Sequence, residues 1–192
     1  MRKRKSIVLP WMLAALALTV PLSMSGCAST RAYDSSLPRV SVKKADSEEI
    51  KAFGPTFKTN PFLEPATLLG GKKNEFFVVR IDLNLDRPMN VNVDAFAQVP
   101  PGAVAPNVLT RYSLVELWEF IDEGARTGDF EKRKTTAEIH AIPSLSFSER
   151  SGRKRYYLVF SGKYPIKKPV TYYVAVILSS GDSESFQETV TQ

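Results

Sequence analysis

Few side chains in this 192-residue chain are of the types that do chemistry, and their spacing narrows the choice further. There is one cysteine, Cys27, and one histidine, His140. With a single residue of each kind, zinc sites built from cysteine and histidine are excluded. His140 stands beside Ile139 and Ile142 and reads as a histidine on a β-strand, not as a general base. Carboxylate chemistry has one place to happen, since Glu116, Glu119, Asp122 and Glu123 flank Trp118 and Phe120. An acid and a base about 5–9.5 Å apart beside aromatic walls is the arrangement that hydrolyses glycans. An acidic run on an exposed face serves first for solvation and surface pairing, and the basic stretch Lys132, Arg133, Lys134 is placed to pair with it across the intervening turn. No catalytic residue is therefore assigned. The remaining cluster, Arg150, Arg153, Lys154 and Arg155, reads as a charged turn, of a kind that touches acidic headgroups or an acidic partner when it is more than a soluble loop.

The elements that must carry these residues are mostly strands. From 77 to 86 the apolar set Phe77, Val79, Ile81, Leu83 and Leu85 alternates with Arg80, Asp82, Asn84 and Asp86. From 89 to 97, Met89, Val91, Val93, Ala95 and Ala97 alternate with Asn90, Asn92 and Asp94. Such alternation means half-buried strands with one wet face. Keeping both apolar sets on one side of a single hairpin leaves the loop Asp86-Arg87-Pro88 without the glycine that three-residue loops usually need. A crossing between two sheets at Arg87-Pro88 is the better reading. Asp82, Asn84 and Asp86 are spaced like the start of a calcium loop, but Arg87 and Val93 stand where that loop needs glycine and glutamate. No metal or cofactor is expected, and neither a glycine-rich phosphate loop nor a serine elbow is present.

Residues 99–107 form a loop by their prolines and glycine. The stretch 112–123 admits two readings. Ser113 with Glu116 makes a capping box, and Leu114, Leu117, Trp118 and Ile121 share a helical face. Against that, Tyr112, Val115, Trp118, Phe120 and Ile121 are strand-rich types among neighbouring strands, which favours a strand. KTTAEIHAI at 134–142 also reads as a strand, and RYYLVFSGKY, TYYVAVILSS and SFQETV follow as further strands, the first two joined by the loop 164–169. Short strands at this spacing indicate a mainly β fold, a two-sheet antiparallel sandwich. TYYVAVIL resembles the penultimate strand of an immunoglobulin-like domain, and a tryptophan on an earlier strand would suit that resemblance, although no inter-sheet disulfide can form.

The first 27 residues are of another kind. Arg2, Lys3, Arg4 and Lys5 precede an apolar run from Ile7 to Val20, then Pro21 and small residues lead to Cys27. That order is a secretory signal peptide. Its end, Met24-Ser25-Gly26-Cys27, resembles the lipobox of bacterial lipoproteins. The resemblance implies cleavage before Cys27 and attachment of lipid there, which occupies the one thiol and leaves no cysteine nucleophile. It also implies more than one acyl chain, as stable anchoring requires. Ala28, which is not Asp, is similar to lipoproteins bound for the outer membrane of double-membrane bacteria. Removing residues 1–26 leaves 22 Lys and Arg against 20 Asp and Glu, a net of +2. That is too little for a general nucleic-acid binder. The expected organisation is a signal peptide at 1–26, a lipid-anchored flexible tether at 27–60, containing a short helix capped by Asp46, and an immunoglobulin-like β-sandwich at 61–192. The expected role is a non-enzymatic binding or assembly module, held to the membrane through Cys27 and meeting a protein or other envelope partner. A carboxylate-dependent envelope glycan hydrolase and a purely structural accessory lipoprotein are the alternatives.

Overall fold

The computed structural model describes residues 31–65, 74–125, 129–163, 170–180 and 183–191. Cys27, the signal-peptide segment and the 164–169 loop lie outside them. In chain order the elements are β1 (Val40–Lys44), α1 (Ser47–Lys51), β2 (Asn74–Leu85), β3 (Met89–Gln98), β4 (Asn107–Leu109), α2 (Arg111–Ala125), α3 (Phe130–His140), β5 (Ser146–Glu149), β6 (Gly152–Lys163), β7 (Thr171–Ser179) and β8 (Ser183–Thr191). The strands make two antiparallel sheets, ordered β1-β2-β6-β4 and β5-β3-β7-β8.

The alternation along β2 and β3 has the expected consequence. Phe77, Val79, Ile81, Leu83 and Leu85 all enter one core with Met89, Val91 and Val93, and that core also takes Leu158, Phe160, Tyr172, Val174 and Val176. Since β2 belongs to the first sheet and β3 to the second, the chain crosses between sheets at 86–88, as the loop chemistry required. The two sheets therefore pack face to face in a sandwich-like body. Phe77 of one and Tyr172 of the other stack with ring centroids 3.9 Å apart. Each fully buried aliphatic side chain here contributes about 1.5–3 kcal/mol.

Three expectations are corrected. The first concerns 112–123, which is helical, as the alternative reading had it. Leu114, Trp118 and Ile121 are buried at helical spacing, while the strand-forming types Tyr112 and Phe120 lie on the exposed flank. The 3.6-residue period of the buried set outweighs residue-type preference. The helix starts at Arg111, and the Ser113 hydroxyl reaches back to accept from the Thr110 N–H at 2.8 Å, so Ser113 serves inside the first turn. Trp118, which the immunoglobulin resemblance wanted on a strand, is on this helix.

The second is the 134–142 strand, which is the helix α3 and its exit. Its buried positions are Arg133 and Ala137, with Phe130 partly buried. The stripe is helical, but an arginine in its middle hides it from any pattern of apolar residues.

The third is the tether. From Val40 onward the segment expected to be flexible belongs to the body. β1 pairs with β2, with Val42 opposite Ile81, and Val40 and Val42 enter the core between the sheets. Two apolar residues two apart suffice to add an edge strand. The short helix expected here is present as α1, with the Asp46 carboxylate accepting from the Glu48 N–H at 2.9 Å. Asn60, wholly buried, donates to the Ile50 and Gly54 carbonyls and accepts from the Phe62 N–H, which fastens the 53–62 loop to α1.

The outer face of the first sheet is consequently not wet throughout. Val78, Leu109, Tyr157 and Val159 on that face pack against Ile50, Phe62, Leu114, Trp118, Ile121, Ala137 and Ala141, so the helices cover one end of it. Asn84, expected in water, is buried and binds the 34–37 backbone through its side-chain amide. Between the helical cover and this N-terminal segment a strip of the sheet remains open.

Candidate functional site

On that open strip the antiparallel register sets Arg80 opposite Tyr157 and Asp82 opposite Arg155, all four on the outer face. α1 brings Glu49 above them, held there by the burial of Ile50 and by the Asp46 cap. The result is a closed ring of alternating charge. Glu49 accepts from Arg80 at 3.1 Å and from Arg155 at 3.1 Å, while Asp82 accepts from Arg80 at 2.6 Å and from Arg155 at 2.7 Å. The Tyr157 hydroxyl donates to the same Glu49 oxygen at 2.7 Å. Isolated surface pairs are worth little, but a shared and half-buried network holds its members in one geometry. Burial, and then the bond to Glu49, push the Tyr157 phenol well above its usual range, so at neutral pH it is a hydrogen-bond donor.

This ring floors a groove of about 830 Å³ between α1, the end of α3 and the 31–38 segment. That volume suits a small ligand or the head of a larger one. Six cationic side chains line it, namely Arg31, Arg80, Arg111, Arg153, Lys154 and Arg155, against the carboxylates Glu49, Asp82 and Glu138. Asp34 stands 3.6 Å from the Arg153 guanidinium at one end. The Nε atoms of Arg111 and Arg153 are buried with no hydrogen-bond partner among the described residues. The excess of cationic over acidic side chains along the groove is what suits it to an anion. Proton transfer has less support, because both floor carboxylates already accept from two guanidinium groups.

His140 forms one wall, its ring 4.7 Å from that of Phe53. Burial holds its imidazole below the ordinary 6.5. The folded chain therefore takes up that proton less readily than the unfolded chain, and the stability present above about pH 6.5 is lost as pH falls through that value. Urea midpoints measured from about pH 7.5 down to 5.5 should decline, and His140→Phe should flatten the decline. An equal slope in the variant would assign it to other groups.

The residues singled out from the sequence are scattered. Glu116, Glu119 and Glu123 lie exposed on α2, while Asp122 pairs with Arg133 of α3 at 3.0 Å, as the basic stretch 132–134 suggested. Trp118 is buried, its Nε1 donating to the Pro61 carbonyl at 2.9 Å, so it offers no aromatic wall to those carboxylates. Of the expected charged turn, Arg150 alone is in the turn. Arg153 and Arg155 are on β6 and engaged in ion pairs, so reversing their charges would disturb the fold as well as any contact. The sequence reading did not pick out Glu49 or Arg111, and it took Arg80 and Asp82 only for the wet face of a strand, Asp82 having been set aside as a calcium ligand. A signal existed for three of the ring's members: alternating charges on the polar side of β2 meet Arg153 and Arg155 on the same parity of β6, its antiparallel neighbour. No protein-family model matches the chain, and no curated protein or solved structure does so.

Proposed function

We propose that this chain is a lipid-anchored cell-envelope lipoprotein whose immunoglobulin-like sandwich works as a non-enzymatic binding module, with the groove over the Glu49–Arg80–Asp82–Arg155 ring as its ligand site. The observation that carries the reading is that the floor carboxylates are clamped while cations remain in excess, an arrangement that holds a ligand without transforming it. The anchor is read from the sequence: four basic residues, an apolar run and the sole cysteine behind Ser25-Gly26. Among the described residues no helix is long and apolar enough to cross a membrane, and acylation of Cys27 would supply the attachment. Ala28 after it favours the outer membrane of a double-membrane bacterium.

The anchor is tested by growing producing cells with an alkyne-bearing palmitate. The wild-type chain should take up the label, and Cys27→Ser should lose it and accumulate as precursor. A Cys27→Ser chain that is still fully processed and still partitions into detergent would contradict lipidation.

A further inference from the structure

The groove's charge and the place where the chain enters the fold together point to a ligand, and this step rests on the lipid attachment at Cys27 proposed above. The Arg153 N–H donates to the Arg31 carbonyl at 2.7 Å, so the N-terminal segment joins the first sheet at the rim of the groove. Three residues lie between Cys27 and Arg31, so four backbone steps span at most about 14 Å. A body held that closely rests against the headgroup layer, and the rim beside the link is the part least able to leave it. The cations lining the groove outnumber its carboxylates, and one of them, Arg153, stands at this rim. Phosphate oxygens are the acceptors that a guanidinium fork fits best.

We infer that the groove seats the phosphate of an anionic phospholipid headgroup, drawn from the leaflet that holds the Cys27 lipid. An acidic peptide would match the charge equally well, but it would have to arrive from solution. The short link delivers headgroups at high effective concentration whenever the anchor is in place. Headgroup capture would fix the body's orientation on the membrane, with the groove down and the open face of the second sheet directed away.

The test uses the lipidated full chain in two kinds of nanodisc, one of phosphatidylcholine alone and one with a third of that lipid replaced by phosphatidylglycerol. Amide exchange is followed by mass spectrometry. Exchange across 138–142 and 153–157 should slow roughly threefold on the anionic disc only. Arg111→Gln with Arg153→Gln should remove the difference, and Lys132→Gln, exposed near the start of α3 and outside the groove lining, should keep it. Equal exchange on both discs for the wild-type chain would overturn the inference, and that comparison depends on no variant. Slowing on the neutral disc when inorganic phosphate is added, without any on the anionic disc, would also overturn it, by making the site one for free phosphate. The mass of the Cys27 peptide, read in the same run, reports the anchor separately. An unacylated Cys27 would remove the proposed attachment whatever the groove does.

Discussion

Replacing Trp118 with alanine is expected to destabilise the chain by about 4 kcal/mol, a large part of what a domain of this size possesses. The indole is 1% exposed, its Nε1–H is used by the Pro61 carbonyl, it packs nearly perpendicular to the Phe76 ring, and the Arg133 guanidinium lies 4.7 Å from its ring centre. The substitution thus opens a cavity, strands a buried acceptor and uncovers a buried cation at once. Trp118→Phe keeps a ring for Arg133 to lie on and loses chiefly the hydrogen bond, so its cost should be about 1–2 kcal/mol. Urea unfolding followed by circular dichroism separates the two, and unchanged m-values would show that stability alone has moved. Near-equal midpoints for Trp118→Ala and the wild type would mean that the helices are not a structural cover on the first sheet.

Asp122 is expected to be the next most sensitive position, for reasons unrelated to catalysis. Arg133 is fully buried, donating to the Lys58 carbonyl at 2.9 Å and to Asp122 at 3.0 Å, whereas the Asp122 side chain is 24% exposed. Removing the carboxylate leaves a charge in the interior with its compensation reduced, and Asp122→Ala should cost about 3 kcal/mol. Arg133→Met leaves instead a carboxylate that water can reach and an apolar side chain of similar length, so its cost should be smaller. The double variant should then be no less stable than Asp122→Ala alone, a departure from additivity that a double-mutant cycle reads directly. Additive losses would show that the pair is not a unit. If Asp122 belonged to a glycan-hydrolysing pair, the same change would abolish hydrolysis while leaving the melting curve in place.

What could be read from the sequence follows from where the physics is local. Alternation along β2 and β3, and the lack of glycine in 86–88, were enough to place these strands in two different sheets. The Asp46 cap was equally legible, because it involves neighbours two residues apart. α3 was not legible, since its buried stripe runs through Arg133, and an arginine is buried only where Asp122, Lys58 and Trp118 converge from distant parts of the chain. The groove was hidden for the same reason. Glu49 and Arg155 are 106 positions apart, and nothing in either neighbourhood announces the other. Burial of the 40–60 segment was missed because polar composition suggested a tether, whereas Val40, Val42, Ile50 and the wholly buried Asn60 attach it at four points.

That the groove is where this molecule binds is best tested by photo-crosslinking in intact producing cells. A benzophenone side chain would be introduced at Ile139 on the groove wall or at Asp94, exposed on the opposite face of the second sheet, and adducts would be read as mass increments on the labelled peptide. The groove position should give adducts and the Asp94 position none. Adducts at Asp94 with none at Ile139 would place the binding surface on the second sheet and contradict the assignment.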